Sequence, residues 1–157
     1  MKLRLICIGR ATEPWLRQGI EEYTGRIQRY LPLKTLEIKE VGGGKKADPR
    51  YIREQEGLRL LEKIPAAAAV VVLDERGKAF SSEDLSSLLG RFMVQGTAEV
   101  VLIVGGAYGL SEAIRQRADL ILSLSSMTLT HLMARLLLLE QIYRGLTILR
   151  NEPYHNR

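Results

Sequence analysis

Two stretches in the last third of the chain carry groups able to hold a ligand. Glu99–Val104 (EVVLIV) breaks into Gly105-Gly106-Ala107-Tyr108-Gly109, and Asp119–Leu124 (DLILSL) breaks into Ser125-Ser126-Met127-Thr128-Leu129. Adjacent glycines let backbone amides approach a ligand where any side chain would clash. Ser123, Ser125, Ser126 and Thr128 add hydroxyls that suit an adenine edge or a ribose. A third group closes the chain: Arg150, then Asn151-Glu152-Pro153-Tyr154-His155-Asn156-Arg157. Folded back over a site, this tail would offer an aromatic for base stacking and an imidazole for proton handling. Left free, it is a disordered end.

Several chemistries are disfavoured by the same residues. Gly105, Gly106 and Gly109 do not follow the Gly-x-Gly-x-x-Gly dinucleotide spacing, so a nicotinamide cofactor is not indicated. Gly42-Gly43-Gly44-Lys45-Lys46 reads as a basic loop without Walker spacing, either simply mobile or a finger for RNA phosphate. A serine nucleophile wants a base held by a carboxylate, and nothing local marks His131 for that role. His131 and His155 are the only histidines and Cys7 the only cysteine, too few for a zinc site of His and Cys spacing; no metal is expected.

Elements must position these loops. Strand-like and helix-like segments alternate, the pattern of an α/β fold with a mostly parallel sheet and helices on both faces. In such sheets ligands bind at the carboxyl ends of the strands, where both loops fall. Leu3–Ile8 is the first strand. A helix from about Glu13 to Tyr30 follows, its apolar face formed by Leu16, Ile20, Tyr23, Ile27 and Tyr30. Thr35–Glu40 alternates with charge and suits a half-exposed edge strand. Asp48 and Pro49 are an N-cap and first helical position. Ala66–Asp74 is an apolar third strand, ended by a turn at Glu75-Arg76-Gly77-Lys78. Ser81 and Asp84 form a capping box for a helix that turns Leu85, Leu88, Leu89, Phe92 and Met93 inward. Ser111 caps the glycine turn.

The final helix, about His131 to Leu149, has two apolar stripes. One is Leu132, Leu136, Leu139, Tyr143 and Leu146; the other is Met133, Leu137, Leu138, Ile142 and Leu149. A helix apolar over most of its circumference is buried on two sides, and in a chain of 157 residues the second cover is expected to be another subunit, giving a homodimer.

Length and composition, 46% hydrophobic and 26% charged, fit one self-sufficient domain over 1–157 rather than disorder. The lone Cys7 in an apolar strand suits a reduced thiol and a cytoplasmic location. MKLRLICIGR reads as a strand rather than a leader. No run approaches the ~18 apolar residues of a membrane span. Residues 1–66 hold 14 Lys and Arg against 9 Asp and Glu, while 67–157 hold 9 against 9. The net +5 is thus confined to the first half, suiting a polyanion-facing region or a solvated surface.

Taken in order, Val104-Gly105-Gly106-Ala107-Tyr108-Gly109-Leu110, Leu122-Ser123-Leu124-Ser125-Ser126-Met127-Thr128-Leu129-Thr130-His131, Tyr143-Arg144 and Pro153-Tyr154-His155 resemble the RlmH family, the ribosomal RNA large subunit methyltransferases H, a minimal branch of the SPOUT class. The Leu73-Asp74-x-x-Gly77-Lys78 turn and Glu22-Tyr23 extend the likeness along the whole chain. The resemblance implies a C-terminal trefoil knot, which general chain-threading rules disfavour. It implies S-adenosylmethionine held by Leu73, Gly105, Gly106, Leu124, Ser125, Ser126, Met127, Thr128 and Leu129. It implies an obligate homodimer whose active site borrows the partner's surface, with Arg144, Tyr154 and His155 serving the RNA and the reacting base. The implied substrate is a pseudouridine of large-subunit rRNA, methylated at N3 on assembled ribosomes. Thr130 stands where this family usually carries proline, and a less rigid loop-to-helix junction is expected. Competing readings are a SPOUT methyltransferase acting on another RNA such as tRNA, a noncatalytic ribosome-binding factor, and a nucleotide-binding regulator.

Overall fold

The computed structural model describes residues 1–42 and 48–156; of the basic loop expected over Gly42 to Lys46, all but Gly42 lies outside the described residues. Ten elements follow in order: β1 (Lys2–Ile8), α1 (Pro14–Gln28), β2 (Leu33–Ile38), α2 (Pro49–Leu61), β3 (Ala69–Ala79), α3 (Ser82–Val94), β4 (Glu99–Val104), α4 (Glu112–Arg117), β5 (Leu120–Ser123) and α5 (His131–Leu149). The sheet runs β2-β1-β4-β3-β5 and every pairing is parallel. All carboxyl ends therefore share one edge.

Side-chain alternation sorts the two faces. Leu3, Leu5 and Cys7 of β1, with Val100, Leu102 and Val104 of β4, pack under α1, α3 and α5. Ile6 and Ile8, with Val101 and Ile103, turn the other way toward Leu60 of α2 and Ile114 of α4. β4, central and covered on both faces, is buried at all six positions. β2 is the expected edge strand, with exposed Lys34 and Thr35. Cys7 is 1% exposed, and burial pushes its thiol up to about 12, so it stays protonated and inert.

Local signals hold at most helix starts. The Asp48 carboxylate accepts from the Arg50 amide at 2.9 Å, with Pro49 opening α2. The Ser81 and Asp84 box is complete in both directions. Ser111 caps α4 rather than the glycine turn itself, accepting from the Ile114 amide at 3.4 Å.

Three further expectations are corrected. β3 does not stop at Asp74. Leu73 and Lys78 both stand opposite Leu122, so residues 74–77 form an extended bulge inside the strand, which resumes through Ala79. A polar Glu-Arg-Gly-Lys string reads locally as a turn; pairing with β5 overrides it. Met93 is 39% exposed rather than inward, because Leu85, Leu88 and Leu89 already fill the α3 contact. Finally, α5 packs between α1 and α3, and its buried face combines Leu138, Leu139, Ile142 and Leu146 from both stripes. The chain thus covers much of that helix itself, leaving Leu137 and Leu149 as its exposed leucines.

Candidate active site

A cavity of about 870 Å³ opens between the bulge of β3 and the carboxyl ends of β4 and β5. It lies within the size range of small-molecule sites. Leu73, Gly105, Gly106 and Leu124 line it, as do Ser125, Met127, Thr128 and Leu129; Ser126 is exposed beside it. Eight of the nine residues expected to hold a cofactor are therefore gathered in one place.

The glycines have a packing reason beside the one expected. A Cβ on Gly105 would lie 3.0 Å from Leu110 and 3.1 Å from the Gly109 carbonyl. On Gly106 it would lie 2.8 Å from the Glu56 carboxylate and 2.9 Å from Ile8. The protein's own packing excludes side chains here, and the turn closes by Gly109 N–H donating to the Gly106 carbonyl at 3.1 Å. Glu56, 4% exposed beneath the turn, is raised by burial although one oxygen accepts from the Val41 amide.

Much of the hydroxyl supply is engaged in folding the second loop. Ser123 donates to the Ser125 carbonyl at 3.0 Å, and Ser125 Oγ accepts from the Met127 amide at 2.9 Å. Thr130, where rigidity was in question, is the N-cap of α5 and accepts from the Met133 amide at 3.2 Å. A side-chain cap fixes the junction by hydrogen bonding instead of by ring closure. His131 lines the cavity, its Nε2 3.7 Å from Glu40.

The bulge of β3 supplies a feature the sequence did not advertise. Asp74 accepts a two-pronged guanidinium from Arg115 at 2.6 and 2.9 Å, and the Arg76 amide at 3.0 Å. Burial alone would push this carboxyl up; the Arg76 amide and the Arg115 guanidinium outweigh it and hold the carboxyl below its ordinary range. The interaction is complete at neutral pH and is lost as pH falls from the ordinary aspartate value through the lowered folded one. Asp74→Asn should destabilise the protein by about 1–3 kcal/mol at pH 7 and remove that part of its acid sensitivity. Urea unfolding at pH 7 and at pH 3 checks both.

Arg144, Tyr154 and His155 form a second cluster. The tail is ordered rather than free: Tyr154 Oη donates to Glu140 at 3.0 Å, its ring packs edge-on to Tyr143 at 4.7 Å, and Arg144 lies over that ring at 4.7 Å. Burial, then bonds to Tyr23 and Glu140, raises the Tyr154 phenol well above its usual value. Arg144 is ion-paired with Glu140 and lies 3.4 Å from His155 Nδ1, while His155 Nε2 lies 3.1 Å from Glu83. Because a guanidinium only donates, Nδ1 is the acceptor and Nε2 carries the proton toward Glu83. Glu83 and Glu140 were missed by sequence reading; each lies near a cluster member in space, and only Glu140, four residues before Arg144, carries a helical-spacing signal.

Within one chain the two clusters do not meet. His131, at the cavity, and Arg144 are separated by thirteen helical steps along α5, roughly 20 Å. Among the described residues no group of His, Cys, Asp and Glu is placed to hold a metal, and no helix is long and apolar enough to cross a membrane.

A family described as "Predicted SPOUT methyltransferase" matches residues 1–155. The chain belongs to the SPOUT methyltransferase family. It is 58% identical over 157 residues to the ribosomal RNA large subunit methyltransferase H of Syntrophotalea carbinolica, covering all of both chains. To the proteins of the same name from Geobacter sp. strain M21 and Geotalea uraniireducens it is 50% and 46% identical over 156 residues, covering at least 99% of each chain. The SPOUT match takes in both clusters, from Leu73 to His155.

Proposed function

We propose that this SPOUT methyltransferase uses S-adenosylmethionine to methylate N3 of a pseudouridine in large-subunit rRNA on assembled ribosomes, acting as a cytoplasmic homodimer. The observation that carries the reading is the cavity between the β3 bulge and the carboxyl ends of β4 and β5, in a chain matched end to end by proteins named for rRNA methylation. The trefoil knot belongs to the same proposal and rests on family membership.

The cavity residues fit the cofactor. Leu73, Leu124 and Leu129 offer apolar walls for an adenine, and backbone groups of Gly105, Gly106 and residues 125–128 offer donors and acceptors at its rim. When bound, the cofactor supplies an electrophilic methyl group on sulfonium sulfur. The protein's own residues must deliver the nucleophile. An imide N3–H is a poor nucleophile until its proton leaves. His155 Nδ1 accepts that proton, and Glu83 beside Nε2 stabilises the resulting imidazolium. Arg144 places positive charge against the carbonyls that become anionic, and Tyr154 supports the base by stacking. Since cavity and tail are far apart in one chain, a second copy brings its tail to the first copy's cavity.

The test is radiolabel transfer from S-adenosylmethionine to ribosomes lacking this methylation, beside naked rRNA and tRNA. Label on one pseudouridine of assembled ribosomes is the expected result, with binding that weakens steeply as salt rises. Label on tRNA would reassign the substrate, and no label from folded protein would overturn the enzymatic reading.

A further inference from the structure

The cavity is charged unevenly. Of the arginines that line it, Arg76 and Arg115 are both paired with Asp74. Arg53, the third, has no hydrogen bond or ion pair to any described residue, and residues 43–47 contain no acid to neutralise it. It is nonetheless half-buried rather than extended into solvent. A guanidinium held at a cavity wall with no ion pair to a described residue is suited to receive an anion from a ligand.

Its position in the fold narrows the anion. Glu56, three residues on along α2, lies against Gly106, so Arg53 sits one turn nearer the carboxyl edge, above the glycine turn. α2 covers one face of the sheet; the apolar end of the cavity, with Leu122, Leu124 and Ala134, lies toward α5 on the other. A ligand filling the cavity would have an apolar portion at the α5 end and a negative group at the α2 end. Resting on the methyl-donor reading above, we infer that Arg53 binds the carboxylate of the cofactor's amino-acid half and is a specificity-determining residue of the pocket. The sulfonium and ammonium groups are cationic, so the carboxylate is the cofactor's only anionic group.

Calorimetric binding of two probes tests this without turnover. S-adenosylhomocysteine carries the carboxylate; 5′-methylthioadenosine keeps the adenosine and lacks the whole amino-acid half. Arg53→Gln should weaken the first by about ten- to hundredfold, the range of a charge-assisted hydrogen bond, and leave the second within about twofold. Arg53→Lys should fall between, keeping charge but losing the planar fork. Equal loss for both probes would mean that Arg53 only shapes the pocket, and the inference fails. Unchanged affinity for both, with weaker ribosome binding and a shallower salt dependence, would assign Arg53 to an RNA phosphate and also overturn it. If the wild-type protein bound neither probe, the methyl-donor reading itself would fall.

Discussion

Replacing Arg144 with alanine is expected to lower single-turnover methyl transfer to ribosomes by about a hundredfold or more while leaving cofactor affinity within about twofold of wild type. The separation follows from geometry. Arg144 lies beside His155 Nδ1 and over the Tyr154 ring, and it does not line the cavity at the strand ends. Losing it removes positive charge from the position where an anion develops, and also leaves Glu140 without its ion pair. His155→Ala should fall by a similar factor, since the proton then has no positioned acceptor. Single-turnover rates with saturating ribosomes, beside calorimetric cofactor affinities, read the two effects apart. Near-normal rates in both variants would remove these residues from the chemistry.

The largest effect on stability is expected from Gly77→Ala. A Cβ there would lie 2.7 Å from the carbonyl carbon and oxygen of Ile121 and 2.8 Å from the carbonyl carbon of Leu122. These are backbone atoms of β5 and its ladder, and no side-chain rotation relieves the overlap. The bulge must lift from β5, and the destabilisation should reach about 3 kcal/mol, at the upper end of overpacking. For a chain of this size that is roughly 6–12 °C in Tm. Gly25→Ala on α1, where a Cβ meets nothing within 4 Å, is the matched control and should stabilise by up to about 1 kcal/mol. Thermal unfolding of the two variants side by side decides the matter, and an undisturbed Gly77→Ala would show that the bulge tolerates repacking.

Periodicity and punctuation made most elements legible. The bounds of α5 match the expected His131 to Leu149, and the Ser81 and Asp84 box opens α3 as its spacing suggested. What escaped local reading was set by partners distant in sequence. The bulge of β3 is held by β5, which begins more than forty residues later, so Glu75 to Lys78 looked like a turn. The inward face of α5 was misdivided because two helices, not one surface, receive it. At the candidate site the loops announced themselves through glycines and hydroxyls, whereas Arg53 lay in an ordinary charged helix. Its meaning depends on having no ion pair among the described residues, a property of space and not of spacing.

One pairing joins the two ends of the chain. Arg135, on the buried side of α5, is 1% exposed; it meets Glu37 at 2.5 Å and the Gly9 carbonyl at 2.8 Å. A charge that leaves water without a partner is strongly unfavourable. Glu37 lies in β2 and Gly9 directly follows β1, so the last helix seats its arginine on the first two strands. The ion pair thereby ties the register of α5 to the opposite end of the chain: a helix seated one turn out of phase would leave a buried guanidinium without its carboxylate and its carbonyl.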